Sequence, residues 1–333
     1  MSKLLSICIP SYNMEQYLHR CVDSMLVDEV LEQLEIIIVN DGSKDSTLAI
    51  ANDYKQRYPQ SVVVIDKPNG HYGSCINASL KIATGKYFRI VDADDWVDSQ
   101  ALVTLVHTLE TLDVDCVCTR YAICWEGNDN VEIQTFEAPF NTTLDLNQFI
   151  LPNKCFHMHC LTYSTILLKR IGYVQTEGVC YTDLEYVYVP LSCARNIFFI
   201  DITLYQYLLG RDGQTVDGRE LINNNSHYIK VLESLERVRK LNLPFNVNEP
   251  SICSFVMSNV VEVASMIYIS NYDYDLAKEK LFRRVIADMN RSDLLKFSDL
   301  WSKNRIAILK LWYYSGTKLS KYIIKPFKER LKL

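Results

Sequence analysis

Short apolar runs alternate with helix-period segments through the first third of the chain, an order that few folds accept. Leu4–Ile9, Glu35–Val39, Val62–Ile65, Tyr87–Val91 and Val114–Thr119 read as strands. Apolar residues at helical spacing fill the gaps, over Glu15–Leu26, Ser46–Tyr58, Ser74–Ala83 and Ser99–Leu112. In the first of these, Tyr17, Leu18, Cys21, Val22 and Met25 share one face. The Glu35–Val39 run is continuously apolar after its first residue, which suits a strand covered on both sides. Ser43 or Asp45 is placed to cap the second helix and Ser99 the fourth, while Gly85 stops the third. Alternation of this kind predicts an α/β fold, a mainly parallel sheet with helices on both faces.

Residues 120–180 are mixed in pattern. Beyond them Thr182–Cys193 looks helical, interrupted by Pro190, and Ile197–Tyr207 is β-rich. From about residue 220 the pattern is helical: Glu220–Leu241, Pro250–Ile269, Tyr274–Met289 and Ser292–Trp312. The 333 residues are 48% apolar, enough for a sizeable core. No uncharged apolar run reaches the roughly 18 residues of a spanning helix, and the stretch from Leu4 is too short for a signal peptide. A cytoplasmic location is expected. The 11 cysteines form no CxxC pair and sit among apolar neighbours, as expected of buried, reduced thiols.

Ligands of open α/β sheets bind outside the carboxyl ends of the strands. Here those ends are polar: Pro10-Ser11-Tyr12-Asn13, Asn40-Asp41-Gly42-Ser43, Lys67-Pro68-Asn69-Gly70-His71-Tyr72-Gly73 and Asp92-Ala93-Asp94-Asp95-Trp96. Three carboxylates within four residues repel one another unless a cation neutralises them, and hard oxygen donors suit Mg²⁺ or Mn²⁺ with a substrate diphosphate. The other reading is a solvated loop that caps the next helix through Asp95 or Asp98. Asp41 either accepts hydrogen bonds from a nucleobase or ribose, or makes an Asx turn before Gly42. Tyr12 either stacks on a base or packs on the sheet, and Asn69-Gly70 is also an ordinary turn pair. Neither GxGxxG nor GxxxxGK[ST] occurs, so no glycine cradle holds a nucleotide. His157-Met158-His159 lacks a third ligand and reads as structural.

Taken together, Pro10–Asn13, Val39–Thr47, Asn69-Gly70, Asn77, Ala83–Tyr87 and Asp92–Trp96 resemble the signature of glycosyltransferase family 2 on a GT-A fold, in order and spacing, across about residues 4–120. The resemblance implies inverting transfer of a sugar from a nucleoside-diphosphate donor, usually a UDP-sugar, with Mn²⁺ or Mg²⁺ held at Asp94. It implies that Pro10, Tyr12 and Asp41 surround base and ribose, that Asp92 faces the nucleotide, and that Asn69 and Ala93 belong to the same site. The family's Glu-Asp pair, which supplies the general base, matches Thr182-Asp183 here. Asp183 is therefore the expected base, with Glu185 as its rival; a plain helix cap is the alternative for Thr182-Asp183. Tyr205–Tyr207 and Gly210–Thr215 resemble the loop that closes over the donor, where Arg211 either neutralises diphosphate or is a solvated turn residue. The Gln-x-x-Arg-Trp element of processive polymerases is missing, which favours adding one sugar at a time. The expected division is a catalytic domain over 1–215, with its nucleotide half over about 1–120 and acceptor half over about 121–215, then a helical region over 216–333.

Charge is uneven. Residues 303–333 hold nine Lys/Arg and one Glu, a net +8, which leaves −13 on the rest of a chain whose total is −5. With Trp312, Tyr313, Tyr314, Tyr322 and Phe327 interleaved, this segment reads either as a surface for anionic lipid or as an amphipathic helix packed on the protein. The first reading suits a peripheral position on the inner face of the membrane and a glycan or lipid-linked acceptor. An acidic body argues against nucleic acid as a partner. A nucleotidyltransferase acting on sugar phosphates and a non-catalytic binding protein are the competing functions.

Overall fold

The second strand is buried along its whole length and lies one strand in from the edge of the sheet. Every residue of Leu34–Asp41 is buried in the computed structural model, as its unbroken apolar run requires when both faces are covered. The structure describes residues 3–152, 155–211, 214, 225–257 and 259. Two compact units divide the chain: residues 1–211 with 241–249, and 212–240 with 250–333.

In the first unit β1 (Leu5–Ser11), β2 (Leu34–Asp41), β3 (Val62–Lys67) and β4 (Tyr87–Ile90) are joined through α1 (Leu18–Asp23), α2 (Thr47–Arg57) and α3 (His71–Ile82). They pair in parallel in the order β3-β2-β1-β4. The chain moves outward from β1 to β3 and returns to β4 on the other side, so a crevice opens beyond the carboxyl ends of β1 and β4. Next come β5 (Trp96–Val97), α4 (Ser99–Thr111), β6 (Cys116–Trp125), β7 (Val131–Gln134), β8 (Thr143–Asp145), β9 (Leu161–Ser164), α5 (Thr165–Arg170), α6 (Asp183–Cys193) and β10 (Asn196–Leu209). β9 enters antiparallel between β4 and β6, and β10 runs parallel to β6. β5 and β8 flank β10, and β7 pairs with β6, giving one ten-stranded sheet. In the second unit α7 spans Asn225–Arg239, and residues 249–257, which cross the boundary, are helical. The helices expected over 274–289 and 292–312, and the basic segment 303–333, lie outside the described residues.

Several boundaries differ from expectation for identifiable reasons. The first helix is shorter because the amides of Met14 and Glu15 donate to Thr47 Oγ1 and Asp45 Oδ2 and hold that stretch as a turn. The fourth helix is capped by Asp98, which accepts from the Ala101 amide at 2.8 Å; Ser99 instead donates to the Ser24 carbonyl. The fifth expected strand continues to Trp125 because β10 pairs with it as far as Leu209. The helix over Asp183–Cys193 runs through Pro190 without interruption, in surroundings where its last nine residues are buried. Tyr205–Tyr207 are strand, not loop. Ten of the cysteines are buried and all eleven are free thiols, with Cys180 half-buried.

The Ala83–Tyr87 part of the signature holds the sheet together. Buried Glu35 of β2 accepts from the Thr84 amide and hydroxyl at 2.9 and 2.8 Å and from the Ser6 hydroxyl, while Ser6 Oγ receives the Gly85 amide. A side chain on Gly85 would put its Cβ 2.5 Å from the Ser6 amide nitrogen. These residues tie β1, β2 and the start of β4 and leave none of their hydrogen bonds for a ligand.

Candidate active site

The loops after β1 and β2 hold each other. Asn13, at a positive φ of 54°, accepts from the Lys44 amide at 2.9 Å and gives its own amide to Ser43 Oγ. Glu15 accepts from the Ser46 amide, and Asp45 accepts from the amides of Glu15 and Thr47. Asn13, Ser43, Asp45 and Thr47 of the signature therefore shape these loops. Pro10 and Tyr12 remain at the rim, Tyr12 with 43% of its surface exposed. Asp41, buried at the end of β2, pairs with Lys67 and accepts the Gly70 amide at 2.9 Å. Lys67 also donates to Ser74 Oγ and the Pro68 carbonyl, so the exposed Asn69 sits on a turn fixed from both ends. Gly42, at φ 72°, lets the Asn69 backbone come close: a Cβ there would lie 2.9 Å from the Asn69 nitrogen.

Asp92–Asp95 leave β4 at the crevice. The carboxylates have different partners. Asp92 Oδ1 accepts from the Tyr72 hydroxyl at 2.8 Å, and its amide donates to Tyr205 Oη. Asp95 accepts from the Tyr205 hydroxyl and the Leu208 amide, which fastens β10 to this loop. Asp94 pairs with Arg211 Nε at 2.6 Å, and its carbonyl accepts from Arg20 Nη2. Ala93 is buried between them. Burial, then the charge of Asp94 and that of Asp183, push the Asp92 carboxyl up to about 7. Burial, then the charges of Asp94 and Asp92, raise Asp95 well above the usual range.

Asp183 is the first residue of α6. Desolvation is the main cause of its rise to about 6, and the neighbouring Glu185 adds to it. Glu185 itself is buried, and its two oxygens accept from the Thr176 amide and hydroxyl, each at 2.7 Å. Thr182, in the place of the expected glutamate, is fully buried and donates to Gln175 Oε1. The 175–178 segment is pinned to α3 by Asn77, which exchanges hydrogen bonds with the Gln175 backbone and donates to Glu177. Gly73 makes room for it, since a Cβ there would be 2.2 Å from the Thr176 carbonyl oxygen. Positive φ values at Asn13, at Tyr181 and at His71, the first residue of α3, fall around this site, as expected where backbone strain serves a site.

His159 comes to the same place. Its ring stacks on Tyr207 at 4.5 Å and 25°, burial drives its pKa well below the ordinary value, and its Nδ1 is a buried atom without a hydrogen-bond partner. Ligand atoms of Asp92, Asp95 and His159 lie within 4.8 Å of one another. The donors fit a hard divalent cation in composition, because crowded carboxylates are relieved by positive charge. Asp95, however, already has both oxygens engaged by the fold. Asp94, the metal ligand expected from the sequence, is not in this group, and its carboxylate is paired with Arg211.

The matching family model is Glycosyl transferase family 2, over residues 6–172, half of the chain. The chain belongs to glycosyl transferase family 2. Among curated relatives, it is 39% identical over 117 residues to the uncharacterized glycosyltransferase EpsJ of Bacillus subtilis (strain 168), 35% of this chain and 33% of that one. It is 38% identical over 226 residues to the minor teichoic acid biosynthesis protein GgaB of the same organism, 66% of this chain and 24% of that one. The chain thus spans about a third or less of the length of these relatives. A solved structure of S. aureus TarS 1–349 in complex with UDP-GlcNAc superposes with a TM-score of 0.62 at 17% identity, covering 98% of this chain and 92% of that one. The fold is therefore GT-A, the α/β architecture expected from the strand order.

Arg20 and Tyr72 join the family-2 crevice without a reading from the sequence; Tyr205 enters it from a strand and not from a closing loop, and His159, expected to be structural for want of a third ligand, lies with Asp92 and Asp95. Tyr72 lies in the polar segment after the third strand, the signal the sequence offers for it. Arg20 reaches Asp94 from 74 positions away, and no local pattern marks it.

Proposed function

We propose that this chain is an inverting glycosyltransferase that moves one sugar from a nucleoside-diphosphate sugar, of the UDP-sugar class, to a hydroxyl of a glycan or lipid-linked acceptor. The observation that carries the reading is the carboxylate grouping around the head of α3 in a family-2 chain: Asp41 accepts from Gly70, Asp92 accepts from Tyr72, Asp94 follows in the same loop, and the charge of Asp183 acts on Asp92. The UDP-GlcNAc complex of TarS and the teichoic acid role of GgaB support a nucleotide-sugar donor and a bacterial surface polysaccharide as destination.

In this reading Pro10, Tyr12 and Asp41 receive base and ribose, with Asn69 and Ala93 lining the same pocket. Asp92 and Asp94 would hold Mn²⁺ or Mg²⁺, which when bound supplies Lewis-acid stabilisation of the departing diphosphate. Arg211 adds a guanidinium suited to bidentate diphosphate contact. Asp183 accepts the proton of the acceptor hydroxyl as its oxygen attacks the anomeric carbon and the bond to diphosphate breaks. A single displacement inverts that carbon. A carboxyl raised to about 6 is ionised at neutral pH yet basic enough to take the proton. Residues 303–333 would rest on the anionic inner face of the cell membrane, close to a lipid-linked acceptor.

A panel of nucleoside-diphosphate sugars with Mn²⁺ tests the reading through release of the nucleoside diphosphate. Release of pyrophosphate from a nucleoside triphosphate and a sugar phosphate would instead establish a nucleotidyltransferase. Nucleotide binding without turnover of any donor–acceptor pair would establish a binding protein.

A further inference from the structure

Asp94 meets two guanidinium groups. Arg211 Nε donates to its carboxylate at 2.6 Å, and Arg20 Nη2 donates to its carbonyl at 2.7 Å. The ion pair is shielded, with side chains 13% and 12% exposed. Both guanidinium groups also lie near the Tyr17 ring, at 5.4 and 5.8 Å from its centroid. The partners given above for Asp92 and Asp95 are neutral donors, so among the described residues Asp94 is the cluster member held in an ion pair. Arg211 directly follows Gly210, whose φ of 93° turns the chain out of β10. Because Leu208 and Tyr205 fasten β10 to Asp95, the strand delivers Arg211 to this loop.

A divalent cation and a guanidinium cannot occupy the same carboxylate oxygen. We propose that Arg211 is a resident counter-ion of Asp94 that a divalent cation and a donor diphosphate displace together, the cation taking Asp94 and the freed guanidinium pairing with the diphosphate. The inference rests on the nucleotide-sugar reading above. Arg211 then opposes metal binding in the free protein and stops opposing it once a diphosphate draws it away. Metal and donor binding are coupled through this side chain, each strengthening the other by the same factor.

The test is Mn²⁺ binding to the full chain, with free Mn²⁺ counted by electron paramagnetic resonance, first without nucleotide and then with UDP. Without nucleotide, Arg211→Ala and Arg211→Gln should bind Mn²⁺ at least about 5-fold more tightly than the unsubstituted chain, the lower end of typical couplings. Asp94→Asn should lose that binding. UDP should strengthen Mn²⁺ binding by a larger factor in the unsubstituted chain than in either Arg211 variant. In chelator, Arg211→Ala should melt at a lower temperature, and Mn²⁺ should restore it, because the cation replaces the missing counter-ion. Unchanged or weaker Mn²⁺ affinity in both Arg211 variants overturns the proposal. The first arm needs no nucleotide, so a chain that binds Mn²⁺ as expected but no UDP would sink the donor reading and the diphosphate half of the exchange, and leave the counter-ion half standing.

Discussion

Asp183 and Glu185 stand two residues apart at the head of α6, and their partners give them different chemistry. Glu185 spends both oxygens on Thr176, whereas Asp183 opens the helix near Asp92, close enough for its charge to raise the Asp92 pKa. Asp183→Asn should therefore keep donor affinity and lose about 10² to 10⁴ in transfer rate at saturating donor. The acid limb of the rate profile should lie near pH 6: the base must be ionised, so the rate rises as pH climbs through its value of about 6. Glu185→Gln should act on stability instead, costing about 1–3 kcal/mol in a denaturant titration, because a buried acceptor for Thr176 becomes an amide group with two donors. A near-normal rate for Asp183→Asn together with an inactive Glu185→Gln would move the base. Asp94→Asn should weaken UDP-sugar binding in Mn²⁺, as read by calorimetry. Equal affinity with and without chelator in the unsubstituted chain would remove the metal from this site.

Between α3 and the segment that leads into α6, a small residue decides the fit. Gly73 faces the Thr176 carbonyl so closely that a methyl group has no space, and Asn77 bonds the same segment one turn on. Gly73→Ala should push residues 175–178 off α3, at a cost of about 1–3 kcal/mol as for other overpacked sites. Because Thr176 holds Glu185, the displacement reaches Asp183, so transfer should fall while donor binding at Asp41 and Asp92 persists. Comparing transfer rate with donor affinity checks this; parallel loss of both would mean that α3 itself had moved. The same element explains why the family signature contains Asn77, a residue with no ligand role in its own geometry. Spacing reveals that such a residue recurs in a pattern, and its hydrogen bonds reveal that it builds a wall of the site.

Across the whole molecule, charge separation sets the expected behaviour. Residues 303–333 carry +8 against −13 elsewhere. If that segment docks on lipid, each Lys or Arg near the surface contributes about 1 kcal/mol, weakened by salt. Cutting the chain after Trp301 should abolish sedimentation with anionic vesicles and leave donor hydrolysis intact; a full-length chain that ignores such vesicles at low salt has a purely structural tail. No helix among the described residues is long and apolar enough to cross a membrane. The order of strands and helices in the first third, the buried second strand and the four polar strand ends were legible in the sequence, because periodicity and turn chemistry act over a few residues; the short strands and helix of residues 120–180 were not. So was the family, whose spacing survives in Asp41–Ser43 and Asp92–Asp95. What the sequence could not apportion was which signature residues face a ligand and which hold the frame. Thr84 and Gly85 go to Glu35 and Ser6, while Asp94 receives Arg20 from 74 positions away and Arg211 from 117. The Arg211 pairing depends on β10, which pairs with β6 and is bonded to Asp95 through the Leu208 amide. Charge partners so distant in sequence are chosen by the closed sheet, since Coulomb attraction depends on separation in space and leaves no local period to read.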